Sequence, residues 1–212
     1  MPSRAAASTD GRARTERGER SRGAILDAAK ALFSERGYDR ASMATVASEA
    51  GLSKSVIYDH FDSKADLQRA LLEREAEALL SYLAASVPGP AEASAEQRLR
   101  AGVEAFFRYA GDQPVAWRLL IRDAPTEPAL TATHAEIQRR GTEAVALLIG
   151  GASLAAGSKR RHKEMLAEMI KSSVIGLAAW WSHHPEVARD EMVDTVIEFV
   201  WPALRGRGGA DT

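Results

Sequence analysis

Residues 49–61 read Glu49-Ala50-Gly51-Leu52-Ser53-Lys54-Ser55-Val56-Ile57-Tyr58-Asp59-His60-Phe61, and their reading decides the fold. A helical pattern stops at one glycine and restarts two residues later. Gly51 can take the left-handed conformation without a side-chain clash, so it ends the first helix. Ser53 offers a hydroxyl to the unpaired amides of a new first turn, so it starts the second. The gap forces a sharp turn, and the two short helices cross steeply. Ala47, Leu52, Val56, Ile57 and Phe61 then lie on the inner side, while Ser53, Lys54, Ser55, Tyr58 and His60 lie on the outer side.

Upstream, Ile25, Leu26, Ala29, Leu32 and Phe33 recur at helical spacing, and Gly37 sits where a terminating glycine belongs. Ser42 is placed to cap the short helix through Val46 to Ala50. Three helices with a tight turn between the last two make a helix-turn-helix, whose second helix fits the major groove of DNA. The outer hydroxyl, ammonium, phenol and imidazole groups suit phosphate oxygens and base edges. Asp59 is the odd member. A carboxylate facing DNA is repelled by phosphates, so it points away, caps a neighbour, or accepts from a cytosine amino group.

The composition excludes several classes of function. The chain has 212 residues, 45% of them hydrophobic, enough for one large domain or two small ones with a buried core. Without cysteine it has no disulfide framework and no thiolate metal site. There is no apolar stretch of membrane-spanning length, and the first residues lack the hydrophobic segment of a secretory signal, so a cytoplasmic location with no membrane partner is expected. A glycine-rich phosphate loop, a GxSxG elbow and an HExxH motif are all missing. No catalytic residue, cofactor or metal site is expected, and the protein reads as a binder of DNA, not an enzyme; the alternatives are a DNA binder with no small-molecule effector, controlled by a protein partner or by abundance, and, more remotely, an all-helical enzyme using a C-terminal cavity.

Charge is unevenly spread. Residues 1–64 carry 11 Lys and Arg against 9 Asp and Glu, and the remainder 17 against 20. Arg4, Arg12, Arg14, Arg17, Arg20 and Arg22 crowd the start. Residues 1–20 read as an Arg-rich disordered arm. Beside DNA, Arg17, Arg20 and Arg22 have two readings: an ordered arm that neutralises phosphates or enters a minor groove, or a solvated tail with non-specific attraction.

The segment 23–72 as a whole resembles the DNA-binding domain of TetR-family (tetracycline-repressor-like) transcriptional regulators. The resemblance rests on Ile25-Leu26, Ala28-Ala29, Leu32-Phe33, Gly37-Tyr38, Ser42-Met43, Val46-Ala47, Ala50-Gly51, Ser53-Lys54, Tyr58, His60-Phe61, Ser63-Lys64 and Leu67. It implies a homodimeric regulator, usually a repressor, whose helical C-terminal domain dimerises and often binds a small effector. Carried over by position, it implies phosphate contacts at Ser42, Thr45 and Lys64 and recognition-helix contacts at Lys54, Ser55, Tyr58 and His60. Asp59 and Asp62 depart from the more basic or neutral residues common there.

The remaining chain reads as further helices, giving an all-α fold: an N-terminal three-helix DNA-binding domain over 21–66 and a larger helical domain over 67–212. Helix four runs from Lys64 past Leu83 and stops at Pro88-Gly89-Pro90. Helical patterns follow over 93–110, 115–121, 130–149 and 163–182, with an apolar face from Met192 to Leu204 after His183-His184-Pro185. The last two helices suggest a four-helix interface between two copies, built by Ile170, Val174, Leu177, Trp181, Val193, Val196, Ile197 and Val200. The alternative is that both faces pack within one chain. Phe106, Phe107, Tyr109, Trp117, His134, Met165, Met169 and Trp180 are candidates to line a pocket for a small hydrophobic or aromatic effector, or are plain core. The adjacent His183 and His184 have poor geometry for one metal and suit a helix cap.

Overall fold

The computed structural model describes residues 4–122, 128–150, 152 and 159–205, and the backbone alone for 4–14 and 122. Every regular element among them is helical. The chain forms two compact units, Met1–Arg74 and Glu75–Thr212.

The first unit holds α1 (Arg4–Arg36), α2 (Met43–Glu49), α3 (Lys54–His60) and the start of α4 (Lys64–Ser86). Gly37 at φ 79° and Gly51 at φ 67° close α1 and α2 in the left-handed region that glycine enters most easily. Ser42 and Thr45 form a capping box at the start of α2, each side chain taking the other's backbone amide. Ser53 caps α3 through the Val56 amide. The interior is closed by Ile25, Leu26, Ala29, Leu32, Val46, Ala47, Ile57 and Phe61, each at most 5% exposed, while Leu52 and Val56 are half-buried. The crossing read from the glycine and the two caps is present, and α2 and α3 both pack on α1.

Two boundaries differ from the sequence reading. The segment taken as a disordered arm is helical from Arg4 onward, in one ladder with the rest of α1. The division between units falls after Arg74 instead of after residue 66. Leu67, Ala70, Leu71 and Leu72 are buried, and Arg74 reaches Asp27 on α1 at 2.8 Å. The first turns of α4 are therefore tied into the first unit.

In the second unit, α5 (Ala95–Asp112) begins with a Ser94–Gln97 capping box. It leads through Gln113 into α6 (Pro114–Trp117), which starts on a proline that needs no hydrogen-bond donor at that place. A π-helical turn, Arg118–Arg122, continues it. A 3₁₀ turn, Pro128–Leu130, precedes α7 (Thr131–Ile149), and α8 (Arg160–Trp181) and α9 (Arg189–Arg205) follow. The core joins Leu99, Val103, Phe107 and Ala110 of α5, Trp117 of α6, Ala167, Ile170, Val174 and Ala178 of α8, and Met192, Val193, Val196, Ile197, Val200 and Leu204 of α9. None of the described helices is long and apolar enough to cross a membrane.

Most residues of the expected dimer interface are buried within a single chain. Ile170, Val174, Val193, Val196, Ile197 and Val200 are each at most 6% exposed within a single chain, so they are core. Trp181 is also committed inward: its Nε1–H donates to the Val187 carbonyl at 2.8 Å, and its ring meets Phe107 edge-on. Leu177 is half-buried like Trp181, and together with Val196 and Val200 it borders a surface groove. Both α8 and α9 are apolar on two sides, and the periodicity of a two-sided helix does not say which side its own chain covers.

Candidate nucleic-acid interface and the outer face of the C-terminal unit

On α3, Ser53, Lys54, Ser55 and Tyr58 are exposed and His60 is half-buried. Tyr58 is 46% exposed although aromatic, and the Lys54 ammonium lies 5.9 Å from its ring centroid. The Ser53 and Ser55 hydroxyls are 2.8 Å apart. This surface combines a cation, a phenol and hydroxyls with no aliphatic side chain among them. A partly exposed phenol beside an ammonium can donate to a phosphate, and the ammonium adds the opposite charge. Ser42 and Thr45 are also exposed at the start of α2, their hydroxyls held by the capping box.

Three further residues of the expected set are tethered. The Lys64 ammonium donates to the carbonyls of Tyr38 at 3.0 Å, Ala41 at 3.1 Å and Asp39 at 3.4 Å, and it sits 4.2 Å from the Tyr38 ring centroid. Its three donors are thus directed at the loop between α1 and α2, and it acts as a strut under that loop. Arg22 lies over the ring of Phe61, 5.2 Å from its centroid, at the C-terminal cap of α3. The ring of His60 is 6.3 Å from that same ring.

The two acidic residues separate. Asp59 is exposed on α3. Asp62 belongs to the start of α4, where its amide donates to Asp66 and Ser63 accepts from the Asp66 amide. A carboxylate there faces the positive end of the helix dipole. That carboxylate is Asp66, whose bond to the Asp62 amide closes the start of α4.

The candidate effector residues do not form one set. Phe106, Phe107 and Trp117 pack edge to face, with centroids 5.5 to 6.0 Å apart. Tyr109 tilts against Tyr82 at 5.6 Å. Burial, and behind it the charge of Glu75, push the Tyr109 phenol up to about 12. His134 is half-buried on α7. Met165, Met169 and Trp180 are 58%, 66% and 45% exposed, so they cannot line a cavity with Phe107. They lie on the side of α8 opposite Ala167, Ile170, Val174 and Ala178.

That outer side continues onto α9. A groove of about 280 Å³ is lined by Leu177, Trp180, Val187, Glu191, Met192 and Thr195. A second, of about 170 Å³, runs past Ser173, Leu177, Thr195, Val196, Phe199 and Val200. Phe199 is 75% exposed. Trp180 stacks on His184 at 3.8 Å, and the Nδ1 atoms of His183 and His184 lie on the Ala179 and Trp180 carbonyls. Both histidines thus cap the end of α8.

Comparison with known proteins accords with both units. Residues 25–71 match the family model for bacterial regulatory proteins of the tetR family. Residues 95–203 match that for a tetracyclin repressor-like C-terminal domain. The chain is 34% identical over 193 residues to the HTH-type transcriptional activator FasR of Mycolicibacterium smegmatis, covering 90% of this chain and 85% of that protein. Its fold matches a TetR-like transcriptional regulator from Rhodococcus sp. RHA1 with a TM-score of 0.67 at 27% identity, over 88% of this chain and 97% of that one. It also matches the fatty acid degradation regulator FadR from Bacillus halodurans with a TM-score of 0.70 over the same shares, where 18% identity speaks for the fold alone. Two family models in the expected order, together with a relative matched over most of its length, place this chain in the TetR family of transcriptional regulators.

Proposed function

We propose that the protein acts as a cytoplasmic homodimer that reads a palindromic DNA operator through the outward face of α3. The observation that carries this reading is the exposure of Lys54, Ser55 and Tyr58 on a helix whose opposite side is anchored by Ile57, fully buried. A rigidly seated helix with polar groups outward meets what groove reading requires. Ser42, Thr45 and Arg22 flank it as backbone contacts. Lys64 and His60 contribute by holding that surface in shape.

The homodimer is assigned to the outer side of α8 and α9. Among the described residues, Met165, Met169, Trp180 and Phe199 are four of the six large hydrophobic side chains left exposed. Such a concentration on one pair of helices marks an interaction surface. Gly176 lies between them with open space where a Cβ would be, which permits close approach by another helix. Two helices from each copy would form a four-helix interface with two-fold symmetry, matching the symmetry of a palindrome.

The sequence suggested repression, while the relative matched over 90% of this chain is named an activator. DNA binding alone sets no sign. An operator that overlaps the polymerase site gives repression, and one upstream of it permits activation. For control, a small apolar or aromatic effector is assigned to the cluster of Phe106, Phe107 and Trp117, beside the π turn, since such turns are frequent at functional sites. A second reading, regulation without an effector, has one observation in its favour: neither groove described above reaches that cluster.

The test of the DNA reading is equilibrium binding to a selected duplex by the wild type and by Lys54→Ala and Tyr58→Ala. Both variants lose specific binding by at least about tenfold, roughly 1.4 kcal/mol, and sediment as the wild type does. Undiminished binding, or monomerisation, removes these residues from the DNA surface.

A further inference from the structure

The outer side of α8 and α9 carries opposite charge at its two ends. Residues 159–163 read Lys159-Arg160-Arg161-His162-Lys163, with no acid among them. Residues 186–198 hold Glu186, Asp190, Glu191, Asp194 and Glu198 against Arg189 alone. The acids have a local reason, since Asp190 and Glu191 lie in the first turn of α9, at the positive end of its dipole. The cations have none. They open α8, whose first turn holds no acid, and a cation there is repelled by the free amides of its own helix.

Register decides which cations share the apolar side. At about 100° per residue, Arg161 and His162 fall on the side of Met165, Met169 and Trp180, opposite Ile170 and Val174. Both are exposed, while Lys163 is half-buried and Arg160 turns to Glu164 at 2.8 Å. The other end of the same side is acidic: Glu191, also exposed, lines the groove of Trp180. Arg161 lies about 28 Å from Trp180 along α8, at 1.5 Å per residue. Arg161 and Glu191 are thus at opposite ends of one surface and do not meet within one chain.

A two-fold axis running along α8 would set basic end against basic end and acidic end against acidic end. An axis running across α8 reverses one copy and sets each basic end against an acidic one. We infer that the occupant of this surface is a second copy of the chain laid antiparallel, with Arg161 of each copy against Glu191 of the other. This rests on the proposed homodimer and adds the alignment of its two copies.

The experiment measures the dimer dissociation constant of the full chain by sedimentation equilibrium, for the wild type, Arg161→Glu, Glu191→Arg, and an equal mixture of the two variants. Each variant alone places like charges at both contacts and dimerises at least about fivefold more weakly than the wild type. The mixture forms a heterodimer with opposite charges at both contacts, which recovers the wild-type constant to within about twofold. Local damage by either substitution is not repaired by mixing. Variants that dimerise as the wild type does, or a mixture no tighter than its components, overturn the alignment while leaving the homodimer standing. A wild type that stays monomeric overturns both.

Discussion

Lys64 closes on Tyr38: its ammonium lies 3.0 Å from the Tyr38 carbonyl and 4.2 Å from the centroid of the Tyr38 ring. The first residue of α4 thereby fixes the loop from which α2 starts, and with it the angle at which α3 is presented. Lys64→Met keeps the aliphatic stem and removes the donors. The expected loss is about 1 to 3 kcal/mol, because several carbonyls lose their partner together with a cation–π contact. Urea unfolding monitored by circular dichroism reads this directly, and an unchanged midpoint would show that water replaces the ammonium without penalty.

Phe199 and Ile197 are two residues apart on α9 yet face opposite ways, 75% and 3% exposed. Phe199→Glu is predicted to leave the helical signal intact and shift sedimentation from dimer to monomer. Ile197→Glu buries a charge among Val193, Val196 and Val200 and is predicted to unfold the C-terminal unit. A dimeric Phe199→Glu variant would place the interface on another surface.

These two residues also show where sequence reading stops. The helix-turn-helix was legible because its signals are local: Gly37 and Gly51 supply the left-handed turns, and Ser42 and Ser53 cap the helices within three residues of themselves. The outward set on α3 followed from register once the cap was placed. Which side of α8 and α9 the chain itself covers was not legible in the same way, since both helices carry apolar residues on both sides. Ile197 and Phe199 are both hydrophobic and differ only in what folds over them. Met165, Met169 and Trp180 drew the same apolar reading as Phe107, although the register of α8 turns them to the opposite side. The role of Lys64 was hidden because its partners lie more than 20 positions earlier in the chain.

Between α7 and α8, Lys171 donates to the Gln138 carbonyl at 3.1 Å and to the Thr142 hydroxyl at 2.9 Å, and it pairs with Glu168 at 2.8 Å. Hydrogen bonds from Lys171 first, and then from Thr142, hold the Glu168 carboxyl below its ordinary value of 4.5. A carboxylate with a depressed folded-state value contributes stability that is fully present above the unfolded value and is lost as pH falls through the folded one. Glu168→Gln is therefore predicted to be less stable than the wild type near neutrality and to lose less on acidification below about pH 4.5. Thermal melts across that range check it, and parallel curves for the two proteins would remove Glu168 from the acid response.

The central claim is that α3 from each of two identical chains reads DNA, and selection from a random-sequence duplex pool by the purified full chain at moderate salt tests it most directly. The predicted result is an enriched inverted repeat whose half-sites are separated by about 34 to 36 Å or a multiple, with no enrichment when Tyr58→Ala replaces the wild type. An enriched single half-site would contradict the two-fold reading, and a pool left unenriched by the wild type would contradict DNA reading by α3 altogether.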